Sequence, residues 1–404
     1  MSNKKVYLMI TTYFPTLDEP WRYAFTYDQV IAIKEESTYE VIVLKPDFEG
    51  EYDFKGVRVI GFKHKTKGAW LCPSLFFRRN IAKMIKVLVL AKIDIKAIAV
   101  VHGHLVAMAP YVTVLKRKNS NIRTMLQFHD ADPYGMLFGT GRFGGIKKII
   151  YFYFFRKEIE KVDILIAISK NVEKVIREAP HQSVYNSYEP MKSAMRILRK
   201  FSRARIKDVY VLHNGVNQNI FKPSREHKNN SSFVVGCVAV FRDLKDQITL
   251  LKACNEIKDN IPNLKIRLIG CHHSGSMLED CKQYIKENNL SAEIIPSLNH
   301  NDLPRFYQSI DLFVLPSFFE GFGCVFTEAW SCGIPFITCE GQGMDDLIYT
   351  EDRKYWLCKQ HDYLDLSKKI LLYYNNRKSQ RLKGSVNINE IVRDFLMFYN
   401  LKVR

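Results

Sequence analysis

The sequence predicts an α/β protein of two doubly wound domains, on three observations. Short β-rich apolar runs alternate with longer segments of helical period, the pattern of parallel sheets covered on both faces. The chain has 404 residues, and at roughly 150 residues per domain that length suggests two or three. A polar stretch over 219–232, containing Pro223 and ending in Asn229, Asn230, Ser231 and Ser232, divides the pattern and reads as a linker.

In the first half, strands are expected at 6–12, 39–44, 57–61, 97–101, 123–128, 164–167 and 208–212. The opening apolar run from Val6 is too short for a secretory signal and lacks a small-residue cleavage site, so it reads as a buried strand. Residues 97–115 carry no formal charge, but His102, Gly103, His104 and Pro110 interrupt them. A strand, a loop and a helix fit that composition better than a membrane span does. In the second half, strands are expected at 233–240, 265–269, 293–295, 312–315 and 335–338. At the end, Ile388, Ile391, Phe395, Leu396 and Phe398 have the spacing of an amphipathic helix. The expected division is a first domain over 1–218, a second over 231–387, and a terminal helix over 388–404 that crosses back to the first.

A hydrophobic content of 47% with 25% charged residues is that of a folded globular chain. The net charge of +18 is concentrated: residues 55–161 hold 21 basic and 5 acidic side chains. Such asymmetry points to an anionic partner. Of the nine cysteines, eight lie at or beyond Cys237 and none forms a C-x-x-C pair, so neither a disulfide framework nor a zinc site is expected. Cys271, His272 and His273 read as a polar turn, and free thiols suit a reducing cytoplasm.

The segment from Pro316 to Pro335 carries the most chemistry. A strand ends before Pro316, and Gly321 and Gly323 let the backbone approach a ligand before a helix starts near Cys324. Amides at that helix start suit a diphosphate. Glu320, in the loop, and Glu328, in the helix, can accept hydrogen bonds from sugar hydroxyls.

The order Pro-Ser, two residues, Glu-Gly-Phe-Gly, then Glu-Ala and Gly-x-Pro resembles the signature of glycosyltransferase family 4. Further matches follow in register: Phe128 and His129 ending a strand before Asp132; Ser169 and Lys170 opening a helix; His213 to Asn217 at a turn followed by Phe221 and Pro223; and the glycine-rich loop from Gly341 to Asp346. The resemblance implies a GT-B fold of two Rossmann-like domains facing across a cleft, and a retaining transfer of a hexose-type sugar from a nucleotide-diphosphate sugar, most often UDP or GDP. It also implies roles: His129 facing the transferred sugar, Glu320 beside the donor sugar, Glu328 on the ribose, and the backbone of Gly321, Phe322 and Gly323 on the phosphates. Lys245 would neutralise the diphosphate without a metal or other cofactor.

Three features depart from the pattern. The arginine that the family sets five or six residues before its lysine is absent, Ala239 and Val240 standing there, and Arg242 is the candidate substitute. The loop after the first strand, from Thr12 to Tyr23, contains no glycine. The strand ending at Ile269 runs on into Gly270 and Cys271 rather than a tight Gly-x-Gly.

On the acceptor side, basic residues flank aromatic ones: Arg78 and Arg79 beside Phe76 and Phe77, and Lys147, Lys148, Arg156 and Lys157 around 151–155. That interleaving suits an anionic bilayer, with a lipid-linked or cell-envelope glycan as acceptor. The expected location is the cytoplasmic face of a membrane, held peripherally. Two other readings stay open: a basic protein binding nucleic acid or membrane on a similar fold, and a sugar-nucleotide epimerase. Nucleic acid is not the expected partner, since it leaves Glu320 and Glu328 unexplained.

Overall fold

A computed structural model describes residues 4–65, 73–129, 157–178, 208–224, 232–272 and 275–404. They divide into two units, Met1–Asn214 with Ile388–Arg404, and Gly215–Asn387.

The first unit is built on strands β1 (Val6–Ile10), β2 (Glu40–Lys45), β3 (Gly50–Phe54), β4 (Val57–Gly61), β5 (Ile98–His104), β6 (Arg123–Phe128), β7 (Ile164–Ala167) and β8 (Val209–Val211). Their spatial order is β3-β4-β2-β1-β5-β6-β7-β8. All neighbours run parallel except β3 and β4. These two form a hairpin whose turn residues, Lys55 and Gly56, have φ of 48° and 81°, the left-handed pair that matches strand twist. Strand β3 was not expected, because Gly-Glu-Tyr-Asp-Phe is a polar sequence and an edge strand needs little apolar surface. Strand β5 runs three residues past its expected end, carrying His102 and His104 into the fully buried interior.

Helix α1 (Ala24–Glu36) covers one face of this sheet, and the terminal helix Ile388–Phe398 packs against it. Ile388, Val392, Phe395 and Leu396 are buried in the same core as Tyr7, Met9, Val30 and Ile33. Burying each such side chain contributes roughly 1.5–3 kcal/mol. The guanidinium of Arg393 pairs with Glu36 at 2.7 Å, and the backbone of Thr38 donates to Lys402 at 3.1 Å.

The second unit holds β9 (Phe233–Val238), β10 (Leu264–Ile269), β11 (Ala292–Ile295), β12 (Leu312–Leu315), β13 (Phe336–Cys339) and β14 (Leu357–Cys358). All are parallel, in the order β11-β10-β9-β12-β13-β14. This is the dinucleotide-fold order, and it reverses between β9 and β12, the point where ligands of such sheets bind. Residues 215–224 belong to this unit, which corrects the boundary expected at 218: Val216 N–H donates to Val386 at 2.8 Å, and the Phe221 ring is buried against His300 and Tyr307. Among the described residues, no helix is long and apolar enough to cross a membrane.

Candidate active site

Three loops meet at the carboxyl edge of the second sheet, after β9, β12 and β13. The loop after β9 is shaped by Gly270 at the end of β10, where a Cβ would lie 1.9 Å from the Ala239 carbonyl oxygen. Its amides continue the ladder, Ala239 N–H to Ile269 and Phe241 N–H to Cys271, both at 2.9 Å. The chain then turns through 243–245 into a left-handed Asp246 with φ of 50°, which starts the helix Gln247–Ile257. Arg242 and Lys245 therefore stand on one short turn, with Lys245 N–H donating to the Arg242 carbonyl at 2.9 Å. Both side chains are half-buried.

The loop after β12 is tied to this turn twice. Phe318 N–H donates to the Leu244 carbonyl at 3.3 Å, and the Lys245 ammonium is ion-paired with the Glu320 carboxylate. A lysine and a glutamate 75 residues apart in sequence thus meet at the strand-order reversal. Gly323, with φ of 88°, precedes the helix Cys324–Ser331; a Cβ there would lie 2.6 Å from Phe326. Phe322 is buried, and its ring forms part of the unit's core.

Glu328 is 7% exposed on that helix. Its Oε2 accepts a hydrogen bond from the Tyr307 hydroxyl at 2.8 Å, and its Oε1 lies 3.4 Å from His300 Nε2. Burial first, and then the charge of Glu328, push the Tyr307 phenol well above its usual range, so it stays a donor. The loop after β13 supplies Gln342 and Gly343, which hold the Glu320 backbone. Among the described residues, no group of three His, Cys, Asp or Glu side chains could hold a metal ion.

His129 lies in the first unit, one residue beyond β6, and is buried. Its Nε2 shares a hydrogen bond of 2.8 Å with Nδ1 of His104, the last residue of β5. His102, two residues earlier, bonds the Tyr7 hydroxyl through its own Nδ1 at 2.8 Å. Burial lowers His102 and His129 to about 3, and His104 well below its ordinary value, so all three imidazoles are neutral at pH 7. The Phe25 ring lies 5.3 Å from His129, and Nδ1 of His129 has no hydrogen-bond partner among the described residues.

The structure thus brings Lys245, Arg242, Glu320 and Gly321 to Gly323 onto adjoining loops, and sets Glu328 on the helix that follows. Arg78 and Arg79 are exposed on helix α2 (Pro73–Leu90), and Lys157 is exposed as well. Lys147, Lys148 and Arg156 lie outside the described residues. Sequence reasoning missed Tyr307, His300, His104 and Gln342 as partners of the expected site residues. Only Gln342 had a sequence signal, standing inside the glycine-rich loop.

Residues 218–385 match the family described as glycosyl transferases group 1. An uncharacterized glycosyltransferase of Methanocaldococcus jannaschii is 22% identical over 381 residues, spanning 93% of this chain and 92% of the relative. Sucrose-phosphate synthase from Thermosynechococcus elongatus has a similar fold, with a TM-score of 0.63 at 14% identity, covering 98% of this chain and 94% of its own. So does HepE of Anabaena, solved in complex with UDP-glucose, with a TM-score of 0.60 at 14% identity over 96% of this chain and 94% of its own. A strand-order reversal that gathers a lysine and a glutamate lies in the stretch that matches this family, and the solved structures share the architecture over nearly the whole chain: the chain has a GT-B fold, and its second unit carries the match to glycosyl transferases group 1.

Proposed function

We propose that the protein is a retaining glycosyltransferase of family 4, moving a hexose-type sugar from a nucleotide-diphosphate sugar to a hydroxyl of a lipid-linked or cell-envelope glycan acceptor. The observation that carries this reading is the Lys245–Glu320 pair at the strand-order reversal of the second unit. The bound UDP-glucose of HepE supports a UDP-sugar as first candidate donor.

In the proposed step, the acceptor oxygen forms a bond to the anomeric carbon while the bond from that carbon to the diphosphate breaks. The hydroxyl proton passes to the departing diphosphate oxygen, on the same face of the sugar, so the configuration is retained. The largest demand is the charge developing on the leaving group. Lys245 and Arg242 are assigned to that charge, together with backbone amides of the loop 321–323. This assignment calls on no metal. Glu320 takes sugar hydroxyls, Glu328 the ribose, and His129, as a neutral imidazole, a hydroxyl of the transferred sugar.

Acceptor binding is assigned to the first unit. A cavity of about 480 Å³ there is lined by Phe62, Val87 and Leu90 beside Lys63, Lys83 and Lys86, with Glu49 and Glu51 also on its wall. Arg78 and Arg79 are exposed on the same α2 helix, whose end exposes Val89 and Leu90. Cations beside exposed aliphatics fit peripheral contact with an anionic bilayer at its cytoplasmic face.

A thermal-shift panel of UDP-, GDP- and ADP-sugars tests the reading. A donor at a hundred times its Kd stabilises the folded chain by about 2.7 kcal/mol. If no nucleotide sugar raises the melting temperature, the donor assignment fails.

A further inference from the structure

We infer that Gln342 is a positioning residue for Glu320, fixing the backbone from which that carboxylate reaches the donor's sugar; this rests on the role proposed above for Glu320. Gln342 is 3% exposed. Its Oε1 accepts the Glu320 N–H at 2.6 Å, and its Nε2 donates to the Phe318 carbonyl at 3.1 Å. One side-chain amide thus bridges two points of the loop that carries Glu320. A neutral side chain that both donates and accepts from one planar group meets this need without burying a charge.

The support is itself fixed. Asp345 accepts the Gly341 N–H at 2.9 Å and pairs with the Arg353 guanidinium, whose Nη2 lies 3.0 Å from Oδ2. Gly343 packs directly on the Glu320 loop: a Cβ there would lie 2.2 Å from the Gly321 carbonyl oxygen and 2.5 Å from Phe322 Cα. Its own N–H points to the Glu320 carbonyl at 3.4 Å. With the Glu320 backbone held at its N–H by Gln342 and faced at its C=O by Gly343, the freedom left to the carboxylate is that of its side chain, which Lys245 restrains. An error of about 1 Å in such a group can cost roughly a hundredfold in rate. Gln342 bonds the backbone of Phe318 and Glu320 rather than the 321–323 amides themselves, so its larger effect should fall on the sugar.

The test uses the full chain, wild type, Gln342→Met and Gln342→Glu, with UDP and UDP-glucose titrated by calorimetry. Gln342→Met keeps the volume and removes both hydrogen bonds. It should weaken UDP-glucose about tenfold, the size of one lost hydrogen bond, and leave UDP within about twofold. Gln342→Glu, ionised near pH 8, still accepts the Glu320 N–H but cannot donate to the Phe318 carbonyl, so it should lie between Gln342→Met and wild type there and approach wild type as pH falls, because a protonated glutamic acid copies both the donor and the acceptor of the amide. Gln342→Met should show no such recovery at any pH. An unchanged ratio of UDP-glucose to UDP affinity in Gln342→Met, or an equal loss of both ligands, overturns the inference while leaving the donor reading intact. Failure of the wild type to bind either ligand overturns the donor reading and this inference with it.

Discussion

Replacing Tyr307 with phenylalanine isolates a single hydrogen bond in the interior of the second unit. The Tyr307 hydroxyl donates to Glu328 at 2.8 Å, and neither residue is more than 7% exposed. Phenylalanine keeps the ring and its contacts with Phe306, Phe313 and Phe221 at 5.8, 5.7 and 6.1 Å, so no cavity opens. The loss is that of a hydrogen bond to a charged acceptor, about 1.5–3 kcal/mol. In a unit of this size each kcal/mol lowers Tm by about 2–4 °C, and the expected fall is about 3–12 °C. Calorimetry on the wild type, Tyr307→Phe, Glu328→Gln and the double variant gives the coupling directly. Independent substitutions add to within about 0.5 kcal/mol; a pair that adds this closely, or a Tyr307→Phe protein melting within about 1 °C of wild type, would show that the phenol does not hold the carboxylate.

Three further outcomes are expected. Gly343→Ala should destabilise the second unit by about 1–3 kcal/mol, since its Cβ meets backbone atoms that cannot swing aside; chemical denaturation measures this, and a neutral result would mean the two loops are not packed as described. In proton NMR, His102, His104 and His129 should show no titration between pH 7.5 and 5. Their folded pKa values lie below the unfolded 6.5, so the stability tied to their neutral forms is complete above pH 6.5. It is lost as pH falls below 6.5, at up to about 1.4 kcal/mol per unit for each ring, the window for His102 and His129 reaching down to about 3. Flotation with anionic vesicles at low salt should carry the wild type, and Arg78→Glu with Arg79→Glu should reduce that fraction; equal flotation would remove α2 from the membrane surface.

The central parallel strands were legible because they are near-continuous apolar runs, buried on both sides; β6 and β12 were expected over the same residues that they occupy. Strand β14 was not, since two residues paired in register with Thr338 and Cys339 leave no pattern to read. At the site, Glu320 and Glu328 were named from motif order, and their environments were not. The Tyr307 hydroxyl comes from 21 residues away, Gln342 from 22, and the His104 partner of His129 from 25, each on another element. Periodicity reports which side chains turn inward, and says nothing about which polar atoms then meet.

The two sheets differ in the charge at their carboxyl edges, and under the proposed function this difference would divide the labour of binding. In the first unit the strand order reverses between β1 and β5. The loop after β1, which lacks glycine, is held by its own side chains: Phe14 is buried, Tyr13 stacks on Tyr23 at 4.7 Å, and the carbonyls of Thr12 and Pro15 accept from Lys45 and Tyr52 at 2.9 and 2.6 Å. A loop pinned through its side chains and carbonyls is a poor cradle for phosphate. Beside it, His104 and His129 are neutral rings among aromatics, able to bond an uncharged hydroxyl with no counter-ion. In the second unit the corresponding reversal carries Arg242, Lys245 and Glu320 on two adjoining loops, which suits an anion and a polyol together. A diphosphate is therefore expected to be held by the second unit. Lys245→Met should then weaken UDP binding severely, whereas His129→Phe should leave UDP binding unchanged and lower transfer alone; the reverse pattern in calorimetry and turnover would contradict this division.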